Sequence, residues 1–441
     1  MLTFLSDRII TPILPFFLGS VGIVLYVTLG FFPFHHLKTA LSPLLKNRNG
    51  SSFRALAVAL AGTLGVGNII GVAYAITEGG AGSLFWMWVS AFLAMIVKYG
   101  ETVLAIRFRK ITKSNPKRLT ALEKKRGGAM YYIPHKTMAS TFAVLCILSS
   151  FTVGNLLQSN AISEAFSHCF QIPPYFIGIL LAFLTLTVIW RGITRITSFC
   201  SFIIPLLSLV YLLMCGVILL RQYQALPALF AEIFREAFSM KALTGGIGGS
   251  ALFLALKVGF SKGLITNEAG CGTAPIAHAS ADTDSPAAQG MLGIVEVFFD
   301  TIVLCTASGL VLLIAHKKAP TLDGYALVSA AFTNLFGKIG DYVIAISLFF
   351  FVLATLVGWS FYGRSALEYF TESRAVRKLY LLSFSIVAFL GTIGRAEIFW
   401  RAADVTVGLM TLINTGYILF FRHEIRDETE RFLQKETRRK R

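Results

Sequence analysis

Ala61-Gly62-Thr63-Leu64-Gly65-Val66-Gly67-Asn68-Ile69-Ile70-Gly71 is the stretch on which the reading of this chain turns. It lies inside an apolar segment, 54–77, long enough to cross the hydrocarbon core of a bilayer as a helix. Each glycine inside a helix costs about 1 kcal/mol relative to alanine. One account of so many is close helix packing through small residues, which is common in membranes. A packing seam needs one face, however, and Gly62, Gly65, Gly67 and Gly71 point in several directions. The competing account is a helix broken near the bilayer midplane. Its unwound carbonyls would take a cation, and the freed N–H groups of the next half-helix would take a carboxylate. The glycine pattern favours the break, with close approach or positive φ expected at Gly65 and Gly67.

Working outward, apolar stretches of similar length recur along all 441 residues. Eleven spans are expected, at approximately 11–33, 54–77, 83–106, 141–165, 174–190, 197–220, 243–266, 289–315, 340–369, 378–394 and 399–421. The first reads as a retained span and not as a cleaved leader, because it lacks a short apolar core with a small-residue cleavage site. The seventh span opens Thr244-Gly245-Gly246-Ile247-Gly248-Gly249-Ser250, a second glycine-rich interruption five spans after the first. Two interrupted spans in matching places of two five-span halves point to an inverted repeat, since an odd number of spans reverses orientation. No internal identity is visible, so the repeat rests on position alone. The expected architecture is therefore an all-α polytopic membrane protein with a five-plus-five core and two broken helices. Residues 1–35 add an N-terminal span, 54–220 and 241–421 form the two halves, and 422–441 form a basic cytoplasmic tail.

Composition agrees. Hydrophobic residues make up 55% of the chain and charged ones only 14%, against roughly 25% charged in a soluble domain. The formal net charge of +17 does not indicate nucleic acid, because the bases crowd into alternate loops and the tail. Lys38, Lys46, Arg48 and Arg54 fill the first loop; Arg107, Arg109, Lys110, Lys113, Lys117, Arg118, Lys124, Lys125 and Arg126 fill the third. Glu78–Gly82 and Ser167–Tyr175 carry no Lys or Arg. The positive-inside rule then puts the C-terminus in the cytoplasm and the N-terminus outside, in a cell inner membrane. The tail mixes acids and bases at helical spacing and reads either as a solvated helix end or as a contact for anionic lipid. Six scattered cysteines give no zinc or disulfide framework, and no cofactor is expected. The absence of a phosphate-binding Gly-x-x-x-x-Gly-Lys-Ser/Thr loop excludes ATP hydrolysis by this chain, and no nucleophile–base constellation suggests an enzyme. A channel would need its broken helices to line a continuous pore.

Polar residues within apolar spans are rare unless they serve a site or have a partner. Gln158 sits in Asn155-Leu156-Leu157-Gln158-Ser159-Asn160, and Thr355 and Trp359 lie one turn apart on the ninth span. Taken alone, Thr and Trp more often reflect packing. Glu296 and Asp300, one turn apart on the eighth span, form either a proton relay or salt bridges to Lys257 or Lys262.

Gly79-Gly80-Ala81-Gly82-Ser83-Leu84-Phe85-Trp86-Met87-Trp88-Val89 resembles the signature of the alanine/glycine:cation symporters. Matching stretches follow in order: Gly127–Ile133, Gly154–Asn160, Gly263–Gly270, Pro275–Ala279 and Gly358–Gly363. Ala94 and Ala129 depart from the family's usual Gly and Pro. The resemblance covers almost the whole chain and implies a leucine-transporter-type fold and sodium-coupled symport of alanine or glycine. It implies no covalent chemistry, with sodium as co-substrate and a chain acting as a monomer. It assigns backbone at Gly65 and Gly67 to the substrate carboxylate, with Asn68 and Ser250 completing the set around the glycine-rich stretches. The carbonyls of Ala61 and Leu64, with the hydroxyl of Thr355, would face sodium, a cation that favours hard oxygen ligands. Gln158 would meet the polar end of the substrate, and Trp359 would wall its side-chain pocket. Coupling to protons through Glu296 and Asp300 is the alternative.

Overall fold

The computed structural model describes residues 10–35, 50–111, 125–239 and 251–440. The expected second glycine-rich interruption at 244–250, with Ser250, lies outside them. Nearly everything described is helical, because a backbone surrounded by lipid must satisfy its hydrogen bonds within the segment.

Helix α1 (Thr11–Thr28) precedes the interrupted pair α2 (Ser51–Thr63) and α3 (Val72–Gly79). Helix α4 (Gly82–Arg107) follows, then a two-residue antiparallel hairpin pairing Lys110 with Arg126 and Ile111 with Lys125. Helices α5 (Lys136–Phe151) and α6 (Leu157–Phe170) form one long span through a π-wound turn, Thr152–Leu156. Then come α7 (Pro174–Ile189), α8 (Ile193–Arg221) and α9 (Leu226–Ala237). Helices α10 (Ala251–Asn267) and α11 (Ala274–His278) flank a second interruption. Helices α12 (Pro286–Val297) and α13 (Thr306–Lys318) are joined through a π-wound segment, Phe298–Cys305. The chain closes with α14 (Gly324–Phe370), α15 (Arg374–Ile393), α16 (Ala396–Phe420) and α17 (Arg422–Lys440). Gly337 has left-handed backbone (φ 62°), so α14 is two helices meeting at a kink. That leaves the stretch after the kink as the spanning part, in line with the expected span at 340–369.

Among the described residues seven helices are long and apolar enough to cross a membrane, or eight if the bent α2–α3 pair is one span. Pro12–Thr28 and Pro174–Ile189 are apolar but shorter, and α10 begins at the edge of the described residues. The expected number of eleven is therefore not fixed by helix length.

Burial sorts the helices into an inner and an outer set. The apolar window of α4 is 83% buried and that of α14 likewise, whereas α8 buries only 33% of its window. Phe202, Leu209, Leu213 and Leu220 on α8 and Phe183 on α7 are exposed. In a bilayer such an apolar outer surface meets lipid tails, so no penalty attaches to it. Helix α4 is the centre of the inner set: α10 and α12 pack along it, and α9 crosses its start. Three devices fix that position. Glu236 of α9 accepts the Ala81 N–H at 2.8 Å, placing a carboxylate at the amide end of α4. The Trp86 indole donates to Ala237 O at 3.0 Å. Beyond the far end of α4, Arg109 donates to the carbonyls of Ala281 and Thr283, both at 2.7 Å.

Helix α9 lay outside every expected span. The tail also differs from a merely solvated helix end: Ile425 and Thr429 of α17 are buried, Thr429 meets the Tyr99 hydroxyl at 2.6 Å, and Glu428 pairs with Arg107.

Candidate functional site

The first interruption falls where the glycines placed it. Helix α2 stops at Thr63, Leu64 is extended (φ −77°, ψ 91°), and helix resumes in a π-wound turn, Gly67–Gly71. The two arms bend by 53°. Three contacts hold the unwound residues, all made by side chains that carry no charge. Gly65 N donates to Asn68 Oδ1 at 3.2 Å, and Val66 N donates to Gln158 Oε1 at 3.1 Å. The Thr355 hydroxyl lies 3.1 Å from Leu64 O and 3.0 Å from Phe351 O. Ala61 lies under Gly358, one turn along α14.

Gly65 is required by close approach. A Cβ there would fall 2.7 Å from both Gln158 Oε1 and Thr355 Oγ1. At Gly67 the nearest atom would be Thr266 Cγ2 at 3.0 Å. Neither glycine has positive φ, so that part of the expectation does not hold: the backbone here is ordinary and the neighbours are near.

Trp359 is fully buried and stands between the two interruptions. Its indole N–H is shared by Gly62 O at 3.3 Å and Glu268 Oε1 at 3.0 Å. Its ring lies against Gly154, where a Cβ would come within 2.3 Å of the ring. Gly154 and Gln158 are one helical turn apart, so the same face of the α5–α6 span supplies the flat wall and the amide.

The second interruption runs from Glu268 to Thr273, between α10 and α11. Glu268 (φ 50°), Gly270 (φ 76°) and Gly272 (φ 82°) all have left-handed backbone. It is held from α4 by charge. Lys98 Nζ donates to Asn267 O at 2.9 Å and lies 3.0 Å from Glu296 Oε1. One turn along, Glu101 Oε2 accepts Gly272 N at 3.1 Å and Asn414 Nδ2 at 2.9 Å. Asn414 also donates to Gly270 O at 2.9 Å. Lys98, Glu101, Glu268 and Glu296 are all buried.

The structure therefore corrects the pairing expected for the eighth-span acids. Neither Lys257 nor Lys262 meets them. Glu296 pairs with Lys98 and with His278 Nε2 at 3.1 Å, while Gln289 donates to His278 Nδ1 at 2.8 Å. With its amide so oriented, the imidazole is the Nε2–H tautomer and donates to Glu296. Asp300 accepts from Asn68 Nδ2 at 2.8 Å and Thr301 Oγ1 at 2.9 Å. Because Asn267 Nδ2 donates to Thr301 Oγ1 at 3.3 Å, a run of hydrogen bonds joins one interruption to the other through Asp300.

Lys262 sits elsewhere. Its ammonium lies 4.5 Å from the centre of the Trp400 ring and 5.5 Å from that of Tyr74, with Glu78 at 3.9 Å. This contact ties α3, α10 and α16 together at one point.

Gly65, Gly67, Asn68, Gln158, Thr355, Trp359, Ala61 and Leu64 are thus gathered around one interruption. Lys98, Glu101, Glu268 and Asn414 were missed. The signal for the first two was present, since a Lys and a Glu three apart inside the third span demand partners.

The chain matches the sodium:alanine symporter family over residues 1–441. It is 36% identical to the sodium/alanine symporter AgcS of Methanococcus maripaludis, covering 96% of this chain and 94% of AgcS. It is 31% identical to the probable sodium/glutamine symporter GlnT of Bacillus subtilis, over 82% of this chain and 74% of that one. Among solved structures it superposes on MhsT in complex with L-phenylalanine with a TM-score of 0.57 at 16% identity, covering 82% and 87% of the two chains. That likeness establishes the leucine-transporter-type fold.

Proposed function

This chain belongs to the sodium:alanine symporter family, and from that premise we propose that it carries alanine, with glycine as a second substrate, into the cell together with sodium. It is a multi-pass membrane transporter and a cation-coupled amino-acid symporter, not an enzyme. One observation supports the finer reading most. Two successive N–H groups of an unwound helix, Gly65 and Val66, are each met by a side-chain oxygen, from Asn68 and Gln158. Two oxygens on two adjacent amides is the demand that a substrate carboxylate makes, at the amide end of a half-helix that favours negative charge.

The cation has its own candidates beside them. Leu64 O and Thr355 Oγ1 are 3.1 Å apart, two hard oxygens of the kind sodium takes, with Ala61 one turn earlier. Substrate size follows from Trp359, whose ring fills the space that Gly154 leaves open. GlnT is named for a larger amino acid than AgcS, so members of the family differ here. A buried ring beside Gly62 and Gly154 favours the small end.

Residues 54–220 and 241–421 are read as the two inverted halves of the core, with 1–35 outside it. The N-terminus is placed outside the cell and the tail within, on the distribution of Lys and Arg. One observation favours a second reading, proton coupling: Asp300 is buried beside Asn68 with donors that carry no charge.

Uptake of labelled alanine into proteoliposomes tests both readings. An inward sodium gradient drives accumulation, and collapse of the pH gradient leaves it intact. Full uptake in sodium-free buffer driven by protons alone overturns sodium coupling in favour of Asp300. A Trp359→Ala carrier accepts larger amino acids; one that stays confined to alanine and glycine removes the pocket assignment.

A further inference from the structure

An amino acid brings two charges to its carrier, and the first interruption accounts for only one. Its amides suit a carboxylate, whereas an ammonium group needs acceptors, up to three of them. The structure has a surplus of acceptors at one place beside the first interruption. There the indole N–H of Trp359 is shared between Gly62 O and Glu268 Oε1. One donor serving two acceptors from two different interruptions leaves both short of hydrogen-bond partners.

Glu268 is the residue at which α10 unwinds, with left-handed backbone, and its carboxylate reaches Trp359 on α14 and Thr273 across the interruption. It is 3% exposed. Its donors are Trp359 Nε1 at 3.0 Å and Thr273 Oγ1 at 2.7 Å, neither of them charged. No cation lies within 4.0 Å of it among the described residues. Lys98, the nearest candidate in the same cluster, gives its contacts to Glu296 and Asn267 O. Lys98 acts on Glu268 only from beyond contact distance and is shared with Glu296. A buried carboxylate that no cation touches is expensive in a membrane interior, and a cation that arrives with the substrate reduces that expense.

We propose that Glu268 is the counter-charge for the ammonium group of the transported amino acid, which it receives together with Gly62 O. The inference rests on the reading of the chain as an amino-acid carrier and adds to it the requirement for a free, protonated amine. The substrate then spans the two interruptions, carboxylate at Gly65–Val66 and ammonium at Glu268, with Trp359 between them. Trp359 Nε1 gives up its shared contact when the ammonium arrives, and the indole ring keeps its place against Gly154.

The test compares alanine with lactate, which replaces the ammonium by a hydroxyl and keeps the rest of the molecule. Binding is measured in detergent with saturating sodium, by calorimetry and by thermal stabilisation, on the full chain and on Glu268→Gln. The amide of the variant still accepts from Trp359 and Thr273 but has no charge. Wild-type protein is expected to prefer alanine over lactate by at least about 100-fold, and in Glu268→Gln that gap is expected to shrink by about 10- to 100-fold, the weight of one charge-assisted contact. Stabilisation by sodium alone stays as in wild type, as a purely structural role for Glu268 would not predict. If Glu268→Gln does not insert, Glu268→Asp decides. Its shortened side chain keeps the charge but draws it back, so alanine binding weakens about 10-fold while sodium stabilisation persists. A gap in Glu268→Gln as wide as in wild type, or undiminished alanine affinity in Glu268→Asp, overturns the inference and leaves the carrier reading standing. A wild type that binds no alanine overturns both.

Discussion

At Leu64–Val66 the chain leaves its helix among groups that carry no charge, while at Glu268–Thr273 it does so between the ammonium of Lys98 and the carboxylate of Glu101. The backbone differs as well. The first interruption keeps ordinary dihedral angles and depends on near neighbours, whereas the second uses left-handed residues at 268, 270 and 272. Amide oxygens hold an N–H group by a bond worth about 1 kcal/mol net, so an arriving carboxylate can replace them. Charged groups buried together do not exchange so readily, because separating them exposes an unpaired charge. The first interruption is built to trade partners and the second to keep its shape.

The largest effect that would break this contrast is loss of the clamp. Lys98→Met leaves Glu296 buried without its cation and is expected to lower stability by about 3–5 kcal/mol, read as a fall in melting temperature with or without alanine. Adding Glu296→Gln should restore part of it. A single variant with wild-type stability would mean that the second interruption does not depend on α4.

Next comes Gly65→Ala. Its methyl group would press on Gln158 Oε1 and Thr355 Oγ1, and alanine binding should fall by at least about 100-fold, beyond the loss of about 1–3 kcal/mol of stability that overpacking brings. Gly67→Ala meets only Thr266, whose Cγ2 would lie 3.0 Å away, and no group that holds the unwound amides, so its effect should be smaller than that of Gly65→Ala. Equal losses at both positions would show that packing, and not access to the amides, governs the stretch.

A smaller effect is expected at Gln158. Once displaced from Val66 N–H, the Gln158 amide is free to turn toward the polar end of the substrate. Replacement by Ala removes that contact and should weaken alanine binding about 10-fold, the scale of one hydrogen bond, with little change in melting temperature. Smallest is Thr355→Val, which keeps the shape but removes the hydroxyl, and should raise the sodium concentration needed for half-maximal uptake several-fold. A shift in alanine affinity at saturating sodium would instead place Thr355 on the substrate.

How much of this was legible in the sequence depended on whether a signal was local. Gly62, Gly65, Gly67 and Asn68 lie within one stretch, so both the break and its place could be read from them. Gln158, Thr355 and Trp359 stood out as polar or bulky residues in spans. The second interruption was expected near 244–250, where glycines are dense, yet the described residues place one at 268–273. There Gly270 closes a motif already noted for another reason, Gly272 stands just beyond it, and the clamps from α4 lie about 170 positions away in sequence. Glu296 was offered Lys257 and Lys262, the nearer lysines in sequence, when its partner is Lys98 on a different helix. Hydropathy gives spans, but it cannot say which buried charges will meet, since that depends on how α4, α10 and α12 are turned toward one another.

The contact of Lys262 with Trp400 has a use beyond holding α3, α10 and α16 together. An ammonium over an indole face perturbs its excited state, so Trp400 should change colour when the three helices part. The chain has five tryptophans, and replacing Trp86, Trp88 and Trp190 by Phe would leave two emitters. Trp359 is fully buried and Trp400 is not, so their spectra should separate. One dye-free protein would then report, in real time and in two bands, whether this crossing opens before or after the wall of the binding pocket responds.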